Sequence, residues 1–170
     1  MDGHLRESGV NMQKVTTCLW FNRNAEEAVN FYLSIFKNSK ILDIARYPEG
    51  APYPKGSVML ITFQLAGQEY LALNGGPEFK HTPAMSLSVD CESQAEVDRL
   101  WDKLTSGGQE SQCGWLTDKY GVSWQLVPKD LLDMMQDKDP EKSKRVTQAL
   151  MKMKKIDIDT LQRARDGKAA

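Results

Sequence analysis

The residues best placed to do chemistry lie at alternate positions in short β-prone runs. Side chains two apart share a face of a strand, so Thr17, Leu19 and Phe21 go together, as do Ala84, Ser86 and Ser88, and Ser123, Gln125 and Val127. The opposite faces carry Met85, Leu87 and Val89, and Trp124 and Leu126, which suit packing beneath helices. A sheet face of hydroxyls and an amide beside aromatic rings leaves room for a small molecule and supplies a few polar groups to orient it. The bland alternative makes Ser86 and Ser88 solvated strand residues. Trp115, Trp20 and Tyr47 are either ligand-stacking rings or core. Asn74, opening Asn74-Gly75-Gly76-Pro77, either closes a turn or reaches into the pocket.

Other chemistries find less support. Asp118 is the one carboxylate to nominate as a base, against a turn-capping role beside Lys119-Tyr120-Gly121. His4 and His81 fall in an N-terminal leader and a loop; His81 is either solvated or at the pocket mouth. Cys113 has no basic neighbour in sequence to lower its pKa and is read as structural. No GxSxG elbow marks a serine hydrolase, and no GxGxG or GxGxxG turn marks a nucleotide or S-adenosylmethionine cradle.

The elements that would position these residues follow a repeated order. Val15–Phe21 reads as a strand, Ala25–Phe36 as a helix with Glu26 and Glu27 in its first turn, and Ile41–Tyr47, Ser57–Leu65 and Gln68–Leu73 as strands. The last two meet in a tight hairpin at Ala66-Gly67, and Pro48, Pro52 and Pro54 make 48–56 a loop. The order recurs as a strand at Ala84–Val89, a helix at Ser93–Leu104, and strands at Glu110–Gln112, Trp115–Tyr120 and Val122–Val127. Shifting by 69 superposes the helices (Phe31 on Leu100, Tyr32 on Trp101), and shifting by 54 superposes the last strands (Tyr70 on Trp124, Ala72 on Leu126). An internal duplication explains this, though apolar periodicity alone could mimic part of it. The fold class expected is α+β: tandem βαβββ modules forming a curved mixed sheet, plus C-terminal helices at 130–135, at 140–153 and from near Asp159. Residues 1–12 read as a disordered leader or start-site artefact, 13–128 as the domain (halves 13–76 and 84–128), and 129–170 as its helical extension, whose stripe Val146, Leu150 and Met153 must cover either its own sheet or another subunit.

Bulk properties narrow the function classes. The 170 residues carry 22 Lys and Arg against 23 Asp and Glu, a net charge of −1 that gives no field for nucleic acid. No apolar run approaches the ~20 residues that cross a bilayer, so no membrane partner is expected. Three cysteines without CxxC spacing fit a reducing cytoplasm.

The tandem order resembles the vicinal oxygen chelate superfamily, which includes glyoxalase I, extradiol dioxygenases, and fosfomycin- and bleomycin-resistance proteins. Thr16–Phe21, Ala25-Glu26-Glu27-Ala28 with Phe31-Tyr32, Ala72–Pro77, Gln112–Gln125 and Lys152–Ile158 are similar to its PhnB-like branch, often labelled 3-demethylubiquinone-9 3-methyltransferase. The resemblance implies a homodimer and, in metal-dependent members, four converging His and Glu ligands. Their positions correspond to Thr17, a residue near Leu71, Ala84 or Ser86, and Gln125, none of which is His, Asp, Glu or Cys. No metal and no cofactor are therefore expected. The pocket is read as Thr17, Leu19, Phe21, Asn74, Ser86, Ser88, Trp115, Ser123 and Gln125, taking an unidentified small molecule of aromatic or quinone-like character. The competing readings are an enzyme of the labelled family, an isomerase or lyase using the same pocket, and an assembly module.

Overall fold

The computed structural model describes residues 14–168, which divide into two compact units, 14–78 and 79–168. The expected leader, 1–12, lies outside the described residues. In the first unit β1 (Thr17–Phe21), α1 (Ala25–Ile35), β2 (Lys40–Arg46), β3 (Val58–Leu65) and β4 (Gln68–Asn74) give a four-stranded mixed sheet of order β1-β4-β3-β2. Ala66 and Gly67 both take positive φ (49° and 88°), the conformation that closes a two-residue hairpin along the twist of its strands. Ala28, Val29, Tyr32 and Ile35 on α1 are buried against Leu19, Ile61, Phe63 and Ala72 of the sheet.

The second unit repeats the plan with β5 (Ser86–Cys91), α2 (Gln94–Thr105), β6 (Gln109–Glu110), β7 (Trp115–Thr117) and β8 (Ser123–Pro128), in the order β5-β8-β7-β6. Ser93 starts α2 by accepting from the Glu96 N–H (3.3 Å), and the Glu96 carboxylate reaches back to the Glu92 N–H (2.9 Å). Val97, Leu100, Trp101 and Leu104 then bury against Leu116, Trp124 and Leu126. β5 begins two residues later than the alternation predicts, because Ala84 and Met85 belong to a turn in which the Met85 N–H donates to Thr82. Ala84 therefore drops out of the strand face.

The C-terminal helices α3 (Leu131–Met135), α4 (Pro140–Leu150) and α5 (Ile158–Arg165) belong to this unit. Val146 and Leu150 join Leu131, Met134, Ile156 and Leu161 in one buried cluster, with Met153 packed on it, so the apolar stripe covers its own unit. Helix α4 ends three residues short of Met153, and the strap beyond it runs alongside the 113–114 loop. Met153 and Lys154 carbonyls accept from the Cys113 and Gly114 N–H groups (2.8 and 2.7 Å). The Gln94 amide holds the strap from the other side, donating to the Ile156 carbonyl (3.0 Å) and accepting from the Ile158 N–H (2.8 Å).

Three carboxylates that tie down the tail, Asp98 on α2 and Asp137 and Asp157 in the tail itself, are held below the usual range. The causes are the Lys155 ammonium for Asp98, the Asp139 N–H and then Arg165 for Asp137, and the Thr160 hydroxyl and N–H for Asp157. A lowered folded-state pKa contributes stability that is complete above the unfolded value of roughly 4 and is lost as pH falls through the lower folded value. Acidification below about pH 4 is thus expected to release the strap and α5 first. Hydrogen exchange should show amides 156–165 losing protection before those of β5 and β8; simultaneous loss would refute it.

Candidate functional site

In the second unit the register brings together four residues singled out by alternation, Ser86, Ser88, Ser123 and Gln125, with the candidate stacking ring Trp115. Ser86 lies beside Ser123 and Ser123 beside Thr117; in the next row Ser88 lies beside Gln125 and Gln125 beside Trp115. The two rows form a patch, three strands wide, on the face turned away from α2, and none of its six side chains is charged. Trp124 and Leu126 alternate to the other face and are 1% and 0% exposed. The Gln125 amide donates to the Ser86 hydroxyl (2.9 Å), which orients its carbonyl end. Ser123, at the centre of its row, is 2% exposed, and its hydroxyl has no hydrogen-bond partner among the described residues. A buried hydroxyl without a partner costs about 1–3 kcal/mol, a cost tolerated here on the face where hydroxyls collect.

The first unit corrects the remaining assignments. Leu19 and Phe21 are 5% and 3% exposed and belong to the core beneath α1. Thr17 shares their face, in register with Tyr70 and through it with Phe63, so it too faces the helix side. The physical reason is a one-residue offset between strand and helix. Leu19 pairs with Ala72 as Val89 pairs with Leu126, so the first strands of the two halves superpose with a shift of 70, whereas the helices superpose with 69. With period two, that single residue moves every side chain to the opposite face. The counterparts of Ser88 and Gln125 are Cys18 and Leu71, and the first sheet's equivalent face is largely apolar.

Asn74 is 7% exposed and acts as a long-range helix cap. Its Oδ1 accepts from the Ala25 N–H (2.9 Å) at the start of α1, while its Nδ2 donates to the Val58 carbonyl (3.0 Å). Asp118 closes a turn: it is 3% exposed and accepts from the Tyr120 and Val122 N–H groups and from the Trp124 indole. Enclosed by donors, it has no free access to a substrate proton. The Trp20 indole donates to the Gly76 carbonyl (2.9 Å), fixing the ring beneath the glycine turn: a Cβ at Gly75 would fall on it. Cys113 takes positive φ (57°) and its thiol packs toward the Leu150 carbonyl, a structural role.

The residues do not fit a divalent metal ion. Ser86 and Gln125 are neutral and bonded to one another, and Cys18, the one soft donor on the corresponding face of the first sheet, has its thiol pushed up by burial. Among the described residues no three His, Cys, Asp or Glu side chains come together as a metal-binding group. Cys91 is less reactive still, its thiol pushed up to about 12 by burial and by Glu96 and Asp90.

Sequence reasoning missed a cavity in the first unit, walled by Arg23, Arg46, Tyr47 and Tyr53. The available signal was a tyrosine at the start of the proline-rich loop, Tyr47, and a second within it, Tyr53.

Two units of the order β-α-β-β-β, each with strand order 1-4-3-2 and a helix on one face, define a protein of the vicinal oxygen chelate class. Residues 13–127 match the family model described as 3-demethylubiquinone-9 3-methyltransferase, and the chain belongs to that PhnB-like family. It is similar to the structure of a PhnB protein from Bacillus cereus at 44% identity and a TM-score of 0.63, covering 68% of this chain and 99% of that one. Likeness in fold alone extends to the protein PA1353 from Pseudomonas aeruginosa (22% identity, TM-score 0.58, 69% of this chain and 98% of that one). It extends also to the fosfomycin resistance protein FosX from Listeria monocytogenes (14%, 0.54, 73% and 97%). No curated protein matches the chain. No helix among the described residues is long and apolar enough to cross a membrane.

Proposed function

We propose that the protein binds a small, planar, uncharged molecule of the quinone type on the hydroxyl-lined face of the second sheet, without a metal ion. The observation that carries this reading is the charge-free patch of Ser86, Ser123 and Thr117 beside Ser88, Gln125 and Trp115. Hydroxyl and amide donors satisfy carbonyl and ether oxygens, an indole offers a flat apolar surface, and the absence of charge selects against ions. The family description names a ubiquinone-type molecule, which is of this class.

Decylubiquinone is the probe. Saturable quenching of tryptophan fluorescence is expected, and Gln125→Ala should weaken binding by about tenfold, or ~1.4 kcal/mol. Native mass spectrometry should show one probe molecule per chain and no metal. Absence of saturation, or equal affinity in Gln125→Ala, would sink the reading. Product formation abolished by the same substitution would replace binding with catalysis.

A further inference from the structure

The cavity in the first unit is about 360 Å³ and differs in chemistry from the patch just described. Its walls include two guanidiniums, Arg23 and Arg46, one carboxylate, Glu26, and two phenol rings, Tyr47 and Tyr53. The charged groups on the wall therefore leave one positive charge in excess. Arg23 lies over the Tyr53 ring, 5.2 Å from its centroid, and Arg46 donates to the Gly56 carbonyl (2.9 Å). Neither forms an ion pair with a carboxylate among the described residues. A guanidinium stacked on a ring keeps its N–H edge available, and that edge matches the two oxygens of a carboxylate.

The aromatic wall is built before any ligand arrives. Tyr47 and Tyr53 donate their hydroxyls to adjacent carbonyls, Asn74 (2.6 Å) and Gly75 (2.9 Å), and their rings lie 4.8 Å apart. Both phenols are thus engaged, and the rings are left to offer apolar surface. The loop carrying Tyr53 is closed on itself by bonds between Tyr47 and Ser57 (2.9 Å) and between Gly56 and Tyr47 (2.9 Å). Pro48, Pro52 and Pro54 restrict it further. Asn74 has its polar atoms committed to Ala25 and Val58, so the floor is fixed as well. A preorganised wall of rings and forks loses little order on binding.

We propose that this cavity is a ligand site for a small aromatic carboxylate, with Arg23 and Arg46 holding the carboxylate and Tyr47 and Tyr53 the ring. The site is independent of the quinone reading, since it uses neither the same residues nor the same unit.

The test is a titration of the full-length ¹⁵N-labelled protein with benzoate, with benzyl alcohol and inorganic phosphate as separate arms. Benzoate should give saturable shifts in amides 23–26, 46–58 and 74–76, with a dissociation constant of about 1 mM or below. Raising NaCl from about 0.05 to 0.5 M should weaken it several-fold, as screening of an ion pair requires. Arg46→Lys keeps the charge but loses the fork, and should weaken benzoate several-fold; Arg23→Gln combined with Arg46→Gln should weaken it at least about tenfold. Should the double variant not fold, the single variant and the salt series decide the matter. Benzyl alcohol or phosphate binding as tightly as benzoate would overturn the proposal. So would shifts that fail to saturate by about 50 mM, well above the millimolar range of a specific fragment, or that centre on other residues.

Discussion

Asp118→Ala is expected to destabilise the protein by about 3–5 kcal/mol, because it removes a buried acceptor and leaves its donors behind. The carboxylate accepts from the Tyr120 N–H (2.8 Å), the Val122 N–H (3.0 Å) and the Trp124 indole N–H (2.8 Å). Trp124 is 1% exposed, Val122 is 3% exposed, and water cannot replace the lost acceptor without opening the core beneath α2. The turn itself depends on the same group, since the 118–122 loop closes with the Asp118 N–H on the Val122 carbonyl and the Gly121 N–H on the Asp118 carbonyl. Asp118→Asn retains one acceptor oxygen but turns an amide NH2 donor toward a donor, so it should lose about half as much. Urea unfolding followed by tryptophan fluorescence and circular dichroism would report both values. A loss below about 1 kcal/mol for the alanine variant would show the donors finding other partners.

Gly114→Ala should cost a comparable amount, about 3 kcal/mol or more, through backbone strain and collision together. Gly114 has φ of +84°, where an L side chain is strained, and a Cβ there would lie 2.6 Å from the Leu126 carbonyl oxygen and 2.9 Å from Ile156 Cδ1. Neither neighbour has room to withdraw. The Leu126 carbonyl belongs to β8, whose Leu126 N–H is bound to the Gly114 carbonyl, and Ile156 is fully buried in the C-terminal cluster. The least costly relaxation separates the strap from the sheet, breaking the bonds from Cys113 and Gly114 to Met153 and Lys154. Hydrogen exchange should therefore show amides 113 and 114 and those of α5 deprotected even where the variant remains folded. Unchanged protection and an unchanged melting temperature would contradict this account.

Much of the fold was legible because its elements are locally encoded. Ala25–Ile35 and Gln94–Thr105 carry helical spacing with acidic first turns, and Ala66-Gly67 marks its hairpin. The serine and glutamine rows were legible for the same reason: Ser123 and Gln125 alternate with Trp124 and Leu126, which are buried on the other face, and Ser86 and Ser88 lie beside them in register. Asn74 and Asp118 were ambiguous, since a turn-closing residue and a pocket residue look alike until their partners are known. The partner of Asn74 lies 49 residues away at the start of α1.

By itself, then, the sequence determined the order of elements in both halves, the absence of His and acidic residues at the positions where ligands would stand, and the polar face of β5 and β8. Only the tertiary structure decided which face of β1 is covered. Alternation assigned Leu19 and Phe21 to the pocket, and pairing Leu19 with Ala72 beneath α1 puts them in the core with an offset of one residue. It also decided that the tail belongs to the second unit, through Gln94, Gly114 and Ile156, and that two arginines and two tyrosines meet around a cavity. Those contacts join residues far apart in the chain, and periodicity, which is a local property, carries no record of them.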